Sequence, residues 1–257
     1  MPVNEIQLDA STAATTNKRN ALSLIYHAVV VGEVSNSYEV TREQFRAHVE
    51  AAASGSYASR FTFDDGHISH FEQARPLLNE AGVHGVFFIV PTWLGKPGYM
   101  EAAHVRQLAA EGHEIGSHSL THPMLPSCSP EQLHQELEGS RKHLEDATGS
   151  PVGSLSFPGG RYNRRVLEAC TAAGYSRVFT SEPTVGITRV GEMEMVGRIN
   201  IGRSVTPERL LQLLDPQSGT LRAQHTRYRI KRGAQALMGD RLYHALWRAI
   251  TGYESET

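Results

Sequence analysis

Three short stretches of this chain hold side chains able to do chemistry. The first is Thr62-Phe63-Asp64-Asp65-Gly66, two adjacent carboxylates after a short apolar run. Neighbouring carboxylates repel unless a cation lies between them or one is protonated. The second is His118-Ser119-Leu120-Thr121-His122. Two histidines four apart are expected on one face of a helical turn, where they can share a metal ion. The third is Ser156-Phe157-Pro158-Gly159-Gly160-Arg161-Tyr162-Asn163, where paired glycines let backbone N–H groups approach a ligand closely. Each has a plain structural reading as well: a solvated Asp-Asp-Gly turn, a chance pair in a chain with 13 histidines, and a strand-to-helix loop. Their common feature is position, because each follows a short strand pattern. In a parallel α/β fold the C-terminal ends of the strands meet at one mouth.

The elements that must position these residues are legible as alternating patterns. ALSLIYHAVVVG reads as one buried strand, Ala21–Val31, stopped by Gly32. Thr41 and Gln44 have capping-box spacing ahead of a helix containing Phe45 and Val49. Further strands are expected at Arg60–Phe63, His84–Val90, His113–Gly116, Gly153–Phe157, Arg177–Thr180 and Met195–Ile201. Helices are expected near Ser69–Gly82, bent or restarted by Pro76, and at Glu101–Gly112, Ser129–Gly149 and Asn163–Gly174. This alternation predicts a mainly parallel α/β sheet or barrel. Beyond about residue 205 only helical patterns remain: TPERLLQLLD, a basic run with Arg222, Arg227, Arg229, Lys231 and Arg232, and GDRLYHALWRAI. The expected organisation is a polar tail over 1–20, a barrel domain over 21–205, and a helical extension over 206–257 packed on it.

Composition narrows the function classes. The 257 residues are 40% hydrophobic and 20% charged, with net charge −2, which suits one large α/β domain and gives no global basicity for nucleic acid. There is no apolar run of about 18 residues for a transmembrane segment. The stretch MPVNEIQLDASTAATTNKRN lacks the apolar core of a secretory signal. Cys128 and Cys170 read as two free thiols. The default expectation is therefore the cytoplasm, with the cell envelope as alternative. The 222–232 basic segment is either a solvated helix face or a contact for an acidic polymer, a membrane surface or a partner.

TFDDG, HSLTH and FPGGRYN in that order, with SLIYHAV ahead and GVFFIV and GHEIGSHSLTH between, resemble the polysaccharide deacetylase family, the chitooligosaccharide-deacetylase homology domain, over roughly 21–201. The resemblance implies a distorted (β/α) barrel of mainly parallel strands. It implies a metal-dependent hydrolase that removes acetyl groups from N-acetylated amino sugars of an oligo- or polysaccharide. Asp65, His118 and His122 would be the metal ligands and Asp64 the general base. The segment Phe157, Pro158, Gly159, Gly160, Arg161 and Tyr162 would line the substrate groove, with the Gly159 N–H facing the oxyanion. The metal implied is divalent, Zn2+ first, with Co2+, Ni2+ or Mn2+ as alternatives. Two imidazoles and one carboxylate leave an open coordination position, as a catalytic zinc site requires.

The chain also departs from the family pattern. Many members carry a proton-donating His in a C-terminal Leu-x-His; here the one literal match, Leu242-Tyr243-His244, sits in a helical pattern beyond the barrel, the wrong context. The expected acid is instead His27, closing Leu24-Ile25-Tyr26-His27. Some branches of the family are circularly permuted with this strand at the N-terminus, and first and last strands of a closed barrel are neighbours. The alternative is a His27 that only hydrogen-bonds in the barrel mouth. The Arg usual in the third motif is Ser156 here. Arg198, in GRINI, is favoured over Arg161 to replace it, because a strand end is held better than a loop. His67 and His70 are either substrate contacts or surface-helix residues. Two other readings stay open: hydrolysis of another non-peptide C–N bond, such as an imide or ureide, on the same fold, and a catalytically silent carbohydrate-binding module. The retained Asp64, Asp65, His118 and His122 argue against the second.

Overall fold

The structure, a computed structural model, describes residues 21–238. Its strands are β1 (Leu22–Tyr26), β2 (Ala28–Val30), β3 (Glu39–Thr41), β4 (Ser59–Phe63), β5 (Val86–Ile89), β6 (Glu114–Ser117), β7 (Ser154–Ser156), β8 (Arg177–Phe179), β9 (Ile187–Val190), β10 (Met193–Val196) and β11 (Arg198–Asn200). Nine of them form one sheet in the order β11-β1-β4-β5-β6-β7-β8-β10-β9. Every pairing in it is parallel except β9 with β10. β1, β5 and β7 are buried along their whole length, as strands covered on both faces must be. That is why they read as continuous apolar runs.

The stretch expected as one strand over Met195–Ile201 is two strands with only Gly197 between them. Val196 of β10 lies opposite Phe179 of β8, whereas Arg198 of β11 lies opposite Ser23 of β1. One stretch of chain thus joins the two ends of the parallel set, and the sheet curls into a distorted barrel. Val86, Phe88, Phe179 and Val196 form a small interior cluster, and a larger core fills the space between sheet and helices.

The first strand also differs from expectation. It breaks at His27, and β2 leaves the main sheet to pair in parallel with β3, an element the sequence patterns did not reveal. The β9–β10 hairpin was likewise not legible, since Ile187–Val190 is mostly exposed and carries little apolar signal. Helix α1 (Arg42–Ser54) is capped by Thr41, whose side chain accepts from the Gln44 N–H at 3.1 Å. The Gln44 amide, however, donates to the Val205 carbonyl at 2.8 Å, so only half of the capping box closes. A π-helical turn at His70–Ala74 leads into α2 (Arg75–Glu80), with Pro76 in its first turn. α3 (Ala102–Ala110) follows β5. The long helix expected from Ser129 is three pieces: α4 (Pro130–His134), with a complete Ser129–Gln132 capping box, a π-helical turn at Gln135–Gly139, and α5 (Ser140–Thr148). α6 (Arg164–Ala172) is capped by the Asn163 side chain.

The C-terminal helices pack on the barrel. α7 (Pro207–Leu214) buries Leu210, Leu213 and Leu214, and the Tyr57 N–H donates to the Leu214 carbonyl. α8 (Thr220–Met238) docks where His225 Nε2 meets Glu182 Oε1 at 2.9 Å. Residues 1–20 and the Leu242-Tyr243-His244 match lie outside the described residues. Among the described residues no helix is long and apolar enough to cross a membrane, and Cys128 and Cys170 are buried and unbridged.

Gly197 allows the change of partner between β10 and β11. A Cβ there would lie 2.6 Å from the Glu182 carbonyl oxygen and run into the Thr184 side chain. We expect Gly197→Ala to lower stability by roughly 1–3 kcal/mol in urea unfolding; an unchanged midpoint and slope would contradict this account of the barrel seam.

Candidate metal centre and active site

Parallel strands place the predicted residues at one end of the barrel. β1 delivers His27, β4 delivers Asp64 and Asp65, β6 delivers His118 and β7 leads into Phe157. The register sets Tyr26 opposite Phe63, and the Asp64 N–H donates to the Tyr26 carbonyl at 3.1 Å, so His27 and Asp64 leave adjacent strand ends.

Asp65, His118 and His122 converge. His118 Nε2 lies 3.3 Å and His122 Nε2 3.5 Å from Asp65 Oδ1, and the three ligand atoms all lie within 4.8 Å of one another. His118 Nδ1 is 2.9 Å from the Ser156 carbonyl oxygen. Because a carbonyl only accepts, Nδ1 carries a proton, and Nε2 is the ring atom that faces Asp65 and can ligate once it gives up its own proton. Two imidazole nitrogens and one carboxylate oxygen fit a divalent cation, with His118 oriented by its Nδ1 contact so that Nε2 is the ligating atom.

The expected helical turn is absent. His118 follows β6 and the chain then runs as a loop, with Ser119 (φ 62°) and His122 (φ 68°) both left-handed; Asp65 (φ 77°) is left-handed too. These are the only non-glycine residues with positive φ among those described. Non-glycine residues adopt that region at a cost, and here it turns His122 back toward Asp65, which a helical i,i+4 spacing was expected to do.

Asp64 points into the barrel. Arg198 Nη1 donates to its Oδ1 at 2.7 Å and Nη2 to its Oδ2 at 2.9 Å. The remaining guanidinium N–H groups reach Thr62 Oγ1, the Thr180 carbonyl and Ser156 Oγ. Ser156 Oγ in turn donates to Asp64 Oδ2 at 3.1 Å. Arg198 is 0% and Asp64 4% exposed, and the rings of Phe88 and Phe179 lie against the guanidinium. Burial pushes the Asp64 carboxyl up, but the charge and hydrogen bonds of Arg198, with His118 and His27 nearby, outweigh it and hold the group below its ordinary value. Asp65 behaves alike: burial raises it, and the His118 hydrogen bond with the charges of His118, His27 and His122 holds it well below the carboxylate range. Burial lowers His118, but Asp64 and Asp65 overcome that and raise it. Burial takes His122 down to about 4.

The other predicted residues are placed as follows. The His27 imidazole is close enough for its charge to act on Asp64, Asp65 and His122; its Nδ1 is buried without a hydrogen-bond partner, and its ring tilts against Tyr38 at 5.2 Å. Gly159 (φ 59°) and Gly160 (φ 65°) are consecutive left-handed residues. A Cβ on Gly159 would meet the Met124 side chain, and one on Gly160 that of Ser181. Gly159 is exposed and Arg161 and Tyr162 are partly so, but Phe157, Pro158 and Gly160 are buried. Phe157 stacks on Tyr162 at 5.0 Å within the core; it supports the loop from beneath and does not line a groove. Arg161 lies beside α8, where its charge acts on Tyr228 and Lys231. Of the basic segment, Arg222, Arg227, Arg229 and Lys231 are exposed on α8 and Arg232 is partly buried.

His70 is not a surface residue. It is fully buried, its Nε2 donates to the His27 carbonyl at 2.7 Å, and it packs between Phe63 and Phe87. His67 is partly exposed, with Nδ1 on Ser69 Oγ at 2.8 Å. Sequence reasoning missed Trp93 and Tyr99. Trp93 lies 5.0 Å from the His122 ring and 4.9 Å from Tyr99, and both are partly exposed. The signal was present, since Val90-Pro91-Thr92-Trp93 leaves the end of β5 as the other site residues leave theirs.

Comparison with known proteins agrees with the motifs. The profile of the polysaccharide deacetylase family matches residues 56–178, and over that span the chain is similar to this family. YxkH of Bacillus subtilis (strain 168) is 26% identical over 197 residues, 68% of this chain and 70% of its own length. The peptidoglycan-N-acetylglucosamine deacetylase of Bacillus cereus is 31% identical over 121 residues, 47% of this chain; that match covers 54% of the relative's length. Among solved structures, the Streptococcus pyogenes deacetylase PplD in complex with acetate superposes with a TM-score of 0.70 at 20% identity, over 77% of this chain and 99% of that one, a likeness of fold.

Burial of His70 has a consequence for acid stability. Its pKa is lowered from 6.5 to about 3, chiefly by burial. Between those values the unfolded chain binds a proton that the folded chain does not. Its contribution is thus complete above 6.5 and is lost as pH falls through the window toward 3. Urea unfolding in EDTA should show wild-type stability falling with acid more steeply than that of His70→Gln, by up to about 1.4 kcal/mol per pH unit. Parallel curves would contradict a neutral, buried His70.

Proposed function

We propose that this protein is a metal-dependent hydrolase that removes acetyl groups from N-acetylated amino sugars within an oligo- or polysaccharide. The observation that carries the reading is the meeting, at one barrel end, of the Asp65–His118–His122 donor set with an ionised Asp64 clamped by Arg198. The family match and the activity in the name of the Bacillus cereus relative support it. The donor set suits Zn2+ first, with Co2+, Ni2+ or Mn2+ as substitutes. A divalent cation held there supplies Lewis acidity, polarising the acyl carbonyl and lowering the pKa of water.

The protein's own groups do the rest. Asp64 takes the proton of the attacking water as general base. Its Oδ2 already accepts from Arg198 and Ser156, while Oδ1 accepts from Arg198 and keeps a lone pair for that proton. The clamp lowers the basicity of the carboxylate and fixes its direction. His27 delivers a proton to the leaving amine, the C–N bond breaks, and acetate and the free amino sugar result. The Gly159 N–H, held in a left-handed turn, donates to the developing oxyanion. Trp93 packs on His122 and Tyr99 on Trp93, and the two rings offer faces to a sugar, as aromatic side chains with an apolar body do. The Ser156 in place of the usual third-motif Arg would favour a silent module only if no other guanidinium reached Asp64. Arg198 supplies that guanidinium from β11, in the space the small Ser156 side chain leaves.

On acetylated glycan oligomers, Asp64→Asn should cut kcat/KM by about 100-fold or more while the protein still takes up one zinc per chain. His118→Ala should lose the zinc as well. Acetate release by Asp64→Asn at the wild-type rate would refute the assignment of the base. Trp93→Ala should raise KM with a smaller change in kcat; an unchanged KM on every oligomer that the wild type turns over would remove the aromatic pair from the substrate site.

A further inference from the structure

His118 and His122 are held by different means. His118 is fixed by its strand and by its ring contact with the Ser156 carbonyl. The His122 ring meets Asp65 and Trp93, so its aim depends on where the Ser119–Thr121 loop carries its backbone. That loop is bounded by the two left-handed residues Ser119 and His122, a path that persists only if its surroundings hold it.

The holder is Glu136, a buried carboxylate in the π-helical turn Gln135–Gly139. Its Oε2 accepts from the Leu120 and Thr121 N–H groups, each at 2.8 Å, and its Oε1 accepts from Thr121 Oγ1 at 2.5 Å. On the other side Thr92 donates from its Oγ1 to the Leu120 carbonyl at 2.8 Å. The His122 N–H donates to Ser119 Oγ, and the Ser119 N–H to Ser117 Oγ. A π-helical turn places an extra residue in the helix and re-aims the side chains around it, and such turns are frequent at functional sites. Here the helix containing that turn, thirteen or more residues after His122, sends a carboxylate back into the loop between the two ligands.

We propose that Glu136 is a positioning residue for the metal centre: it sets the backbone path that aims His122 Nε2 at the cation. The inference rests on the metal-binding reading above. The demand is for reach and for one oxygen that accepts two N–H groups, not for negative charge. Glutamine meets it, since its amide oxygen can accept both N–H groups and its NH2 can donate to Thr121 Oγ1. Aspartate keeps the charge but is one methylene short.

The test is Co2+ titration of the metal-free full chain, following both the dissociation constant and the visible ligand-field spectrum, with folding checked by circular dichroism. Glu136→Ala and Glu136→Asp should bind Co2+ about 10-fold or more weakly and shift the spectrum, because the geometry around the ion changes. Glu136→Gln should restore both most of the way. A folded Glu136→Ala with wild-type affinity and spectrum overturns the proposal. If the alanine variant does not fold, Glu136→Asp binding Co2+ as tightly as Glu136→Gln overturns it. Wild-type protein that takes up no Co2+ overturns the metal centre itself and this inference with it, an outcome separate from wild-type uptake that the Glu136 variants leave unaltered.

Discussion

The pairing of Arg198 with Asp64 is the interaction on which both the fold and the proposed chemistry depend. A carboxylate at 4% exposure is costly to keep ionised, and a guanidinium at 0% exposure is costly to bury. The structure meets the cost with geometry: a bidentate pair, all three guanidinium nitrogens bonded to acceptors on β4, β7 and the turn after β8, and aromatic rings against the cation. Removing one partner would leave the other charged and alone, a loss of about 3–5 kcal/mol in comparable buried pairs. Because Arg198 stands on β11, immediately after Gly197, the pair forms where the barrel closes. The seam of the sheet and the aim of the proposed base are thus one contact.

The metal donors depend on that closure indirectly. Ser156 bonds Arg198 and Asp64 through its hydroxyl and His118 through its carbonyl. One small residue at the end of β7 therefore connects the carboxylate side of the site to the imidazole side. Its size matters, since a longer side chain at this position would compete with Arg198 for the same space. Arg198 holds the Asp64 carboxylate from a late strand, with both carboxylate oxygens bonded.

What could be read from the sequence, and what could not, follows from how far each contact reaches along the chain. Asp64, Asp65, His118 and His122 were legible because polar residues at the ends of apolar runs are visible locally. Arg198 was legible because a strand end is a rigid place to hold a cation. The left-handed path of His118–His122 was not, since nothing in Ser119-Leu120-Thr121 announces positive φ; a carboxylate sixteen residues from Leu120 and a threonine on another strand end supply it. His70 read as either a substrate contact or a helix-surface residue and is buried, because the π-helical turn rotates it inward against Phe63 and Phe87. The break at Gly197 was hidden for the opposite reason: Met195–Ile201 reads as one strand throughout, and only the partners of its two halves differ.

The central claim, that Arg198 keeps a buried Asp64 ionised, is tested most directly by carboxyl 13C NMR of the metal-free protein through an acid titration, with Asp64→Asn to assign the resonance. The account predicts that the Asp64 signal stays that of a carboxylate below the ordinary aspartate pKa of about 3.9. A signal that titrates at or above that value would show that burial outweighs the guanidinium, and would contradict the account.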